Sequence, residues 1–141
     1  MIVILDTDHL TVIQRQSEPF HSRLRARLDA FPQEHVHTTI VSFEEQMRGW
    51  LSTIARSKKG LEIAANQRLY DMLAFFGSIP VLRYDNRAAG QLAMLSSIRL
   101  RIGSMDLKIA AIALSQNALL LSRNLKDFNR VPNLRVEDWT I

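Results

Sequence analysis

Acidic side chains recur in this 141-residue chain wherever an apolar run gives way to polar residues. Asp6 and Asp8 follow Ile2-Val3-Ile4-Leu5, and Glu44 and Glu45 follow the Val-, Thr- and Ile-rich stretch 36–41. Asp106 comes after Gly103-Ser104 at the opening of an apolar run, and Asn124 and Asp127 come after three leucines at 119–121. Carboxylates gathered in one place repel one another unless a hard, oxygen-preferring cation neutralises them. Such a set would hold Mg²⁺, with Mn²⁺ able to substitute. A cation held in this way can activate water against a phosphodiester without a cysteine, serine or histidine nucleophile. Each acid also has a plainer reading. Asp6 and Asp8 can cap a helix, Ser42-Phe43-Glu44-Glu45 matches a capping box, Asp106 suits a helix dipole, and Asn124 and Asp127 suit a polar turn. Taken singly, Asp8 and the Glu44-Glu45 pair favour capping. The repetition of acids near one edge favours the cation.

That edge follows from the elements. Residues 2–5 are continuously apolar and β-branched, as in a strand buried on both faces of a parallel sheet. Helical spacing over 9–16 and 20–31, with Leu24, Leu28 and Phe31 in register, predicts two helices, the second closed by Pro32. A second strand is expected over 36–41, followed by a helix from near Ser42 carrying Phe43, Met47, Trp50, Leu51 and Ile54. Ser57-Lys58-Lys59-Gly60 breaks it, and 61–76 resumes as the second arm of a helical hairpin. Val81-Leu82 reads as a third strand, 87–100 as a helix, Gly103-Ser104 as the start of a helix to about Asn117, and 119–121 as a fourth strand. Short apolar pieces around 134–136 suggest an edge strand. Strands alternating with helices predict an α/β sandwich with a mainly parallel sheet, whose ligand site lies outside the carboxyl ends of its strands.

Composition narrows the chemistry further. Eighteen Lys and Arg against 14 Asp and Glu give a net charge of +4 and a pI near 10.0, which favours a polyanionic partner. With no cysteine, disulfides, thiolate nucleophiles and zinc-thiolate sites are excluded. The N-terminal apolar run is too short for a signal-peptide core and no stretch approaches a membrane span, so a cytoplasmic protein of one domain, residues 1–141, is expected. His35 and His37 alternate as if on one strand face but have no third ligand nearby, and surface histidines are the better reading. His9 could touch substrate, though not as an essential base. Trp50, Leu73, Phe75 and Phe76 read as core or dimer-interface residues, and Arg15, Arg48, Arg56, Lys58 and Lys59 as solvated faces that become an RNA track only beside the acidic edge.

Several motifs stand in a characteristic order and spacing: Leu5-Asp6-Thr7-Asp8, Glu45 four residues before Gly49, Gly103-Ser104-Met105-Asp106-Leu107 with Ile109-Ala110-Ala111, Ser122-Arg123-Asn124, Asp127-Phe128, and the ending Arg130-Val131-Pro132 with Val136-Glu137-Asp138-Trp139. Together they resemble the PIN-domain ribonucleases, and specifically the VapC-like toxins of bacterial type II toxin–antitoxin systems. The resemblance spans essentially the whole chain. It implies a PIN-like three-layer sandwich, a Mg²⁺-dependent endoribonuclease, a homodimer and a cognate antitoxin. It also implies Asp6, Glu45 and Asp106 as the main catalytic and metal-binding residues, with the fourth place open between Asn124 and Asp127. Glu44 is a neighbouring rival to Glu45, and only one of two successive helical residues can face the metal. Gln46, Arg48 and Trp50 depart from the family's small apolar pattern, which touches the antitoxin groove or the substrate path. Two other readings compete. One is a noncatalytic PIN-like regulator that binds RNA or a partner. The other is a phosphoacceptor receiver domain, which Val81-Leu82-Arg83-Tyr84-Asp85 matches only loosely.

Overall fold

In the computed structural model, which describes residues Met1–Ile141, five parallel strands form one sheet in the order β3-β2-β1-β4-β5. The strands are β1 (Val3–Leu5), β2 (Val36–Thr39), β3 (Val81–Leu82), β4 (Leu119–Leu121) and β5 (Arg135–Glu137). The helices are α1 (Thr7–Arg15), α2 (Phe20–Leu28), α3 (Ile40–Arg56), α4 (Glu62–Gly77), α5 (Asn86–Ser97), α6 (Ser104–Ser115) and α7 (Leu125–Phe128).

Strand β1 is central, and its three side chains are essentially inaccessible to water. Alternation along the strand divides them between two cores. Ile4 and Leu120 face a core built with α5 and α6, where Ile109 to Ala113 are buried on every side. Val3, Leu5, Leu119 and Leu121 face the other core, closed by Leu10, Leu24, Met72, Phe76 and Trp139. This is the expected three-layer α/β sandwich, with helices on both faces of a parallel sheet.

The chain leaves β1 toward β2 but leaves β4 toward β5, so the order reverses between these neighbours. A crevice opens at such a switch point, outside the carboxyl ends of the strands. Leu5 pairs with Leu121, which sets the residues that follow them, Asp6 and Ser122, side by side at that crevice.

Element boundaries moved where a side chain took over a backbone bond. The second strand stops at Thr39 rather than Val41, because the Thr39 hydroxyl accepts from the Ser42 amide at 3.2 Å and starts α3 at Ile40. Ser42 is therefore inside the helix, and the Ser42–Glu45 capping box does not form. Asp85 likewise caps α5, accepting from the Ala88 amide at 3.0 Å. The second helix ends at Leu28, short of Phe31, and α5 ends at Ser97, short of Leu100. Helix α7 occupies what reads in sequence as a loop.

Candidate metal centre

Asp6 is the N-cap of α1, where Oδ1 accepts from the Thr7 amide at 2.8 Å. Its Oδ2 accepts from Ser122 Oγ at 2.7 Å. The capping and site readings thus apply to the same side chain through different oxygens. Burial, and then the charge of Asp8, push the Asp6 carboxyl up to about 7, against the pull of the Ser122 and Thr7 bonds.

Asp8, in the first turn of α1, does not cap the helix. Its Oδ2 accepts from the Arg123 amide at 3.0 Å, and its Oδ1 lies 2.7 Å from His9 Nδ1. Its charge acts on Asp6, Glu45 and Asp106 alike, which makes it a fifth acid of the cluster.

Glu45 stands in the second turn of α3 and turns toward the crevice. Its Oε2 is 3.3 Å from Thr7 Oγ1, while its Oε1 is buried without any hydrogen-bond partner. Burial, and then the charge of Asp106, raise its carboxyl. Glu44 faces away and pairs with Arg48 one turn later on the helix exterior.

Asp106 opens α6, and its carboxyl is raised by burial and then by the charge of Asp127. Asn124 sits between the two acids, its Nδ2 donating to Asp106 Oδ2 at 3.3 Å and to Asp127 Oδ2 at 3.1 Å. Asp127 also lies 3.4 Å from Arg130.

Asp6, Glu45, Asp106, Asn124 and Asp127 are therefore brought to one opening. No three acidic or imidazole side chains close into a finished coordination shell there. The donors still fit a hard divalent cation: all are oxygens, three carboxyls are raised by crowding and burial, and Glu45 Oε1 is a buried acceptor with nothing to accept from.

Sequence reasoning missed Thr7 and Ser122 and assigned Asp8 to capping. The signal for Ser122 was positional, since it ends its strand as Asp6 ends its own. His9 cannot touch substrate, because it is fully buried and its Nε2 accepts from the Trp139 amide at 3.2 Å. His35 lies in a 3₁₀ turn (Gln33–His35) while His37 lies in β2, so the two do not share a strand face. Phe76 is core, but Leu73 is 64% exposed. Trp50 and Phe75 line a groove of about 590 Å³ between α1, α3 and α4, which Arg15 and Arg68 also line. The groove adjoins the acids at Gln46, next to Glu45.

The pattern of the PIN domain family matches residues 3–134, which takes in every one of these acids. The chain belongs to the PIN domain family. Among curated relatives, the tRNA(fMet)-specific endonuclease VapC of Salmonella typhimurium is 35% identical over 81 residues, 55% of this chain and 61% of that protein. Ribonuclease VapC2 of Rickettsia felis is 50% identical over 38 residues, 27% of this chain and 28% of that protein. In both matches the chain spans less than two thirds of the relative's length. Among solved structures, VapBC-1 from nontypeable Haemophilus influenzae superposes with a TM-score of 0.79 at 22% identity, covering 100% of both chains. The DNA-bound VapBC of Salmonella typhimurium gives 0.76 at 25% identity, covering 99% of this PIN domain and 98% of that chain. No helix of this PIN domain is long and apolar enough to cross a membrane.

Proposed function

We propose that this PIN domain is a Mg²⁺-dependent endoribonuclease and the toxin of a type II toxin–antitoxin pair. The observation that carries the reading is the convergence of Asp6, Glu45, Asp106 and Asp127 from four elements on the switch-point crevice, with Glu45 Oε1 buried and unpaired. Relatives named as a ribonuclease and a tRNA endonuclease support RNA as substrate, and solved VapBC complexes support an antitoxin partner. The +4 charge suits a polyanionic substrate.

When bound, Mg²⁺ or Mn²⁺ supplies Lewis-acid activation of water and neutralises charge building on the phosphodiester. Asp6, Glu45 and Asp106 would hold the cation, and Asp127 or Asn124 would complete the set. Ser122 and Thr7 fix the orientation of the Asp6 and Glu45 carboxyls. With its carboxyl raised to about 7, Asp6 is only partly ionised near neutral pH, so the charge it would offer a cation grows as pH rises through that value. Homodimerisation belongs to the same proposal.

The test is cleavage of a tRNA pool by the purified chain. Mg²⁺-dependent cleavage that EDTA abolishes and that Asp106→Asn loses is expected. Full activity in Asp106→Asn, or in EDTA, would overturn the proposal. Neutralisation by co-expression of a short neighbouring reading frame tests the toxin assignment.

A further inference from the structure

His9 has a role that neither substrate contact nor simple core packing describes. Its imidazole is completely buried in α1, yet both ring nitrogens meet polar groups on opposite sides. On one side the Trp139 amide points at Nε2 from 3.2 Å. An amide N–H needs an acceptor, so Nε2 carries the lone pair and the neutral ring's single proton sits on Nδ1. On the other side that proton faces Asp8 Oδ1 at 2.7 Å. Asp138 Oδ1 lies 3.6 Å from Nε2, but it already accepts from the Thr140 amide at 2.8 Å and the Thr140 hydroxyl at 2.6 Å.

The Asp8 contact is unusual for its position. Side chains at i and i+1 of a helix do not normally face each other. Here the ring is held by its far end. Trp139 is 2% exposed, packs on Phe31 at a centroid distance of 5.2 Å, and lies beneath Arg27 at 4.6 Å. The C-terminal segment is thus a fixed post, and His9 spans from it to Asp8. The other Asp8 oxygen accepts from the Arg123 amide on the loop after β4, so the carboxylate is tied at both ends.

We propose that His9 is a positioning residue, an imidazole strut that transmits the anchored C-terminal segment to Asp8 and fixes that carboxylate at the mouth of the metal site. Both Asp8 oxygens are engaged, one by His9 and the other by the Arg123 amide, so the carboxylate is held in one orientation beside Asp6, Glu45 and Asp106. This rests on the metal-site reading above.

Two amide substitutions separate the two ends of the strut. In His9→Asn the amide nitrogen takes the place of Nδ1 and keeps the donor to Asp8 while losing Trp139. In His9→Gln the amide oxygen reaches the place of Nε2 and keeps the acceptor for Trp139 while losing Asp8. Mn²⁺ titration of the metal-free protein, read by electron paramagnetic resonance, measures the outcome without RNA. His9→Gln and Asp8→Asn are each expected to weaken Mn²⁺ binding about tenfold, the low end for groups that orient metal ligands. His9→Asn, which loses the post but keeps the donor to Asp8, should fall between the parent and His9→Gln, and the Asp8→Asn, His9→Gln double variant should bind no more weakly than Asp8→Asn alone. Equal affinities for His9→Asn and His9→Gln, or weaker binding by His9→Asn, would overturn the proposal.

The ¹⁵N spectrum of the unsubstituted imidazole tests the same bond even where a variant fails to fold. A proton on Nδ1 is expected, and one on Nε2 overturns the strut. Absence of Mn²⁺ binding by the parent protein would instead defeat the metal-site reading, leaving the nitrogen spectrum to judge His9 by itself.

Discussion

Ser122 Oγ donates to Asp6 Oδ2 at 2.7 Å, a bond between residues 116 positions apart that extends the pairing of Leu5 with Leu121 by one step. Ser122 is fully buried, so no water can replace its hydroxyl without rearrangement. Its bond pulls the Asp6 carboxyl down against burial and Asp8. Ser122→Ala should therefore raise that carboxyl further and shift Mn²⁺ binding to more alkaline pH. Leaving the buried Asp6 Oδ2 without its partner should also cost about 1–3 kcal/mol of stability. Mn²⁺ titrations across the neutral range, with urea unfolding in EDTA, check both expectations.

Asp6 also sets a pH dependence of the metal-free fold. Its carboxyl is raised to about 7 in the folded state from 3.8, so between those values the folded protein binds the extra proton. Stability in EDTA is then fully present below the unfolded value and falls as pH rises through about 7. Asp6→Asn removes the titration while keeping an oxygen for the Thr7 amide. We expect this variant to be more stable than the parent in EDTA at alkaline pH, yet unable to gain stability from Mg²⁺. Denaturant midpoints with and without Mg²⁺ on either side of neutrality decide it.

Glu44 and Glu45 are adjacent in sequence and opposite in consequence. Glu44→Gln removes a pair with Arg48 one turn away, worth roughly 0.5 kcal/mol or less, and the least of the charges that raise the Glu45 carboxyl. Nuclease activity should be unchanged. Glu45→Gln exchanges a buried acceptor oxygen in the crevice for an amide and should lower cleavage by at least about 100-fold, the scale on which loss of one group stabilising transition-state charge is felt. Single-turnover cleavage rates at saturating Mg²⁺ separate the two.

How much of this was legible beforehand depended on whether the deciding bond was local. Val3, Ile4 and Leu5 declare a central strand because burial on both faces leaves no polar position, and that pattern survives any register. The acids after β1, β2 and β4 were legible because a parallel sheet delivers strand ends to one rim. The start of α3 was not. Ile40 and Val41 have strand-like side chains, and only the Thr39 cap turns them helical. Glu45 changes meaning with it, from a first-turn capping residue to a second-turn side chain free to face the crevice. Ser122 and His9 were hidden for a different reason. Their partners, Asp6 and Trp139, lie 116 and 130 residues away, and no local pattern encodes such contacts.

Asn124 allows the sharpest test of how the acids are held apart. Its amide nitrogen donates to both Asp106 and Asp127, and the Asn124 bond is what pulls the Asp106 carboxyl down against burial and Asp127. With its nitrogen turned to both acids, Asn124 acts as a spacer between two charges in the metal-free protein. Asn124→Ala should then raise the Asp106 carboxyl and destabilise the metal-free protein at alkaline pH, while Mn²⁺ affinity falls only a few-fold. Asn124→Asp should destabilise the metal-free protein more, because a third charge stands between two others. It should also gain more stability from saturating Mg²⁺ than the parent does, since a cation that binds only the folded state stabilises in proportion to the logarithm of its affinity. Asp106→Asn supplies the reference for losing a proposed ligand. If Asn124→Ala weakens Mn²⁺ as severely as Asp106→Asn, the amide must rotate to present its oxygen to the metal, and Asn124 rather than Asp127 fills the fourth place.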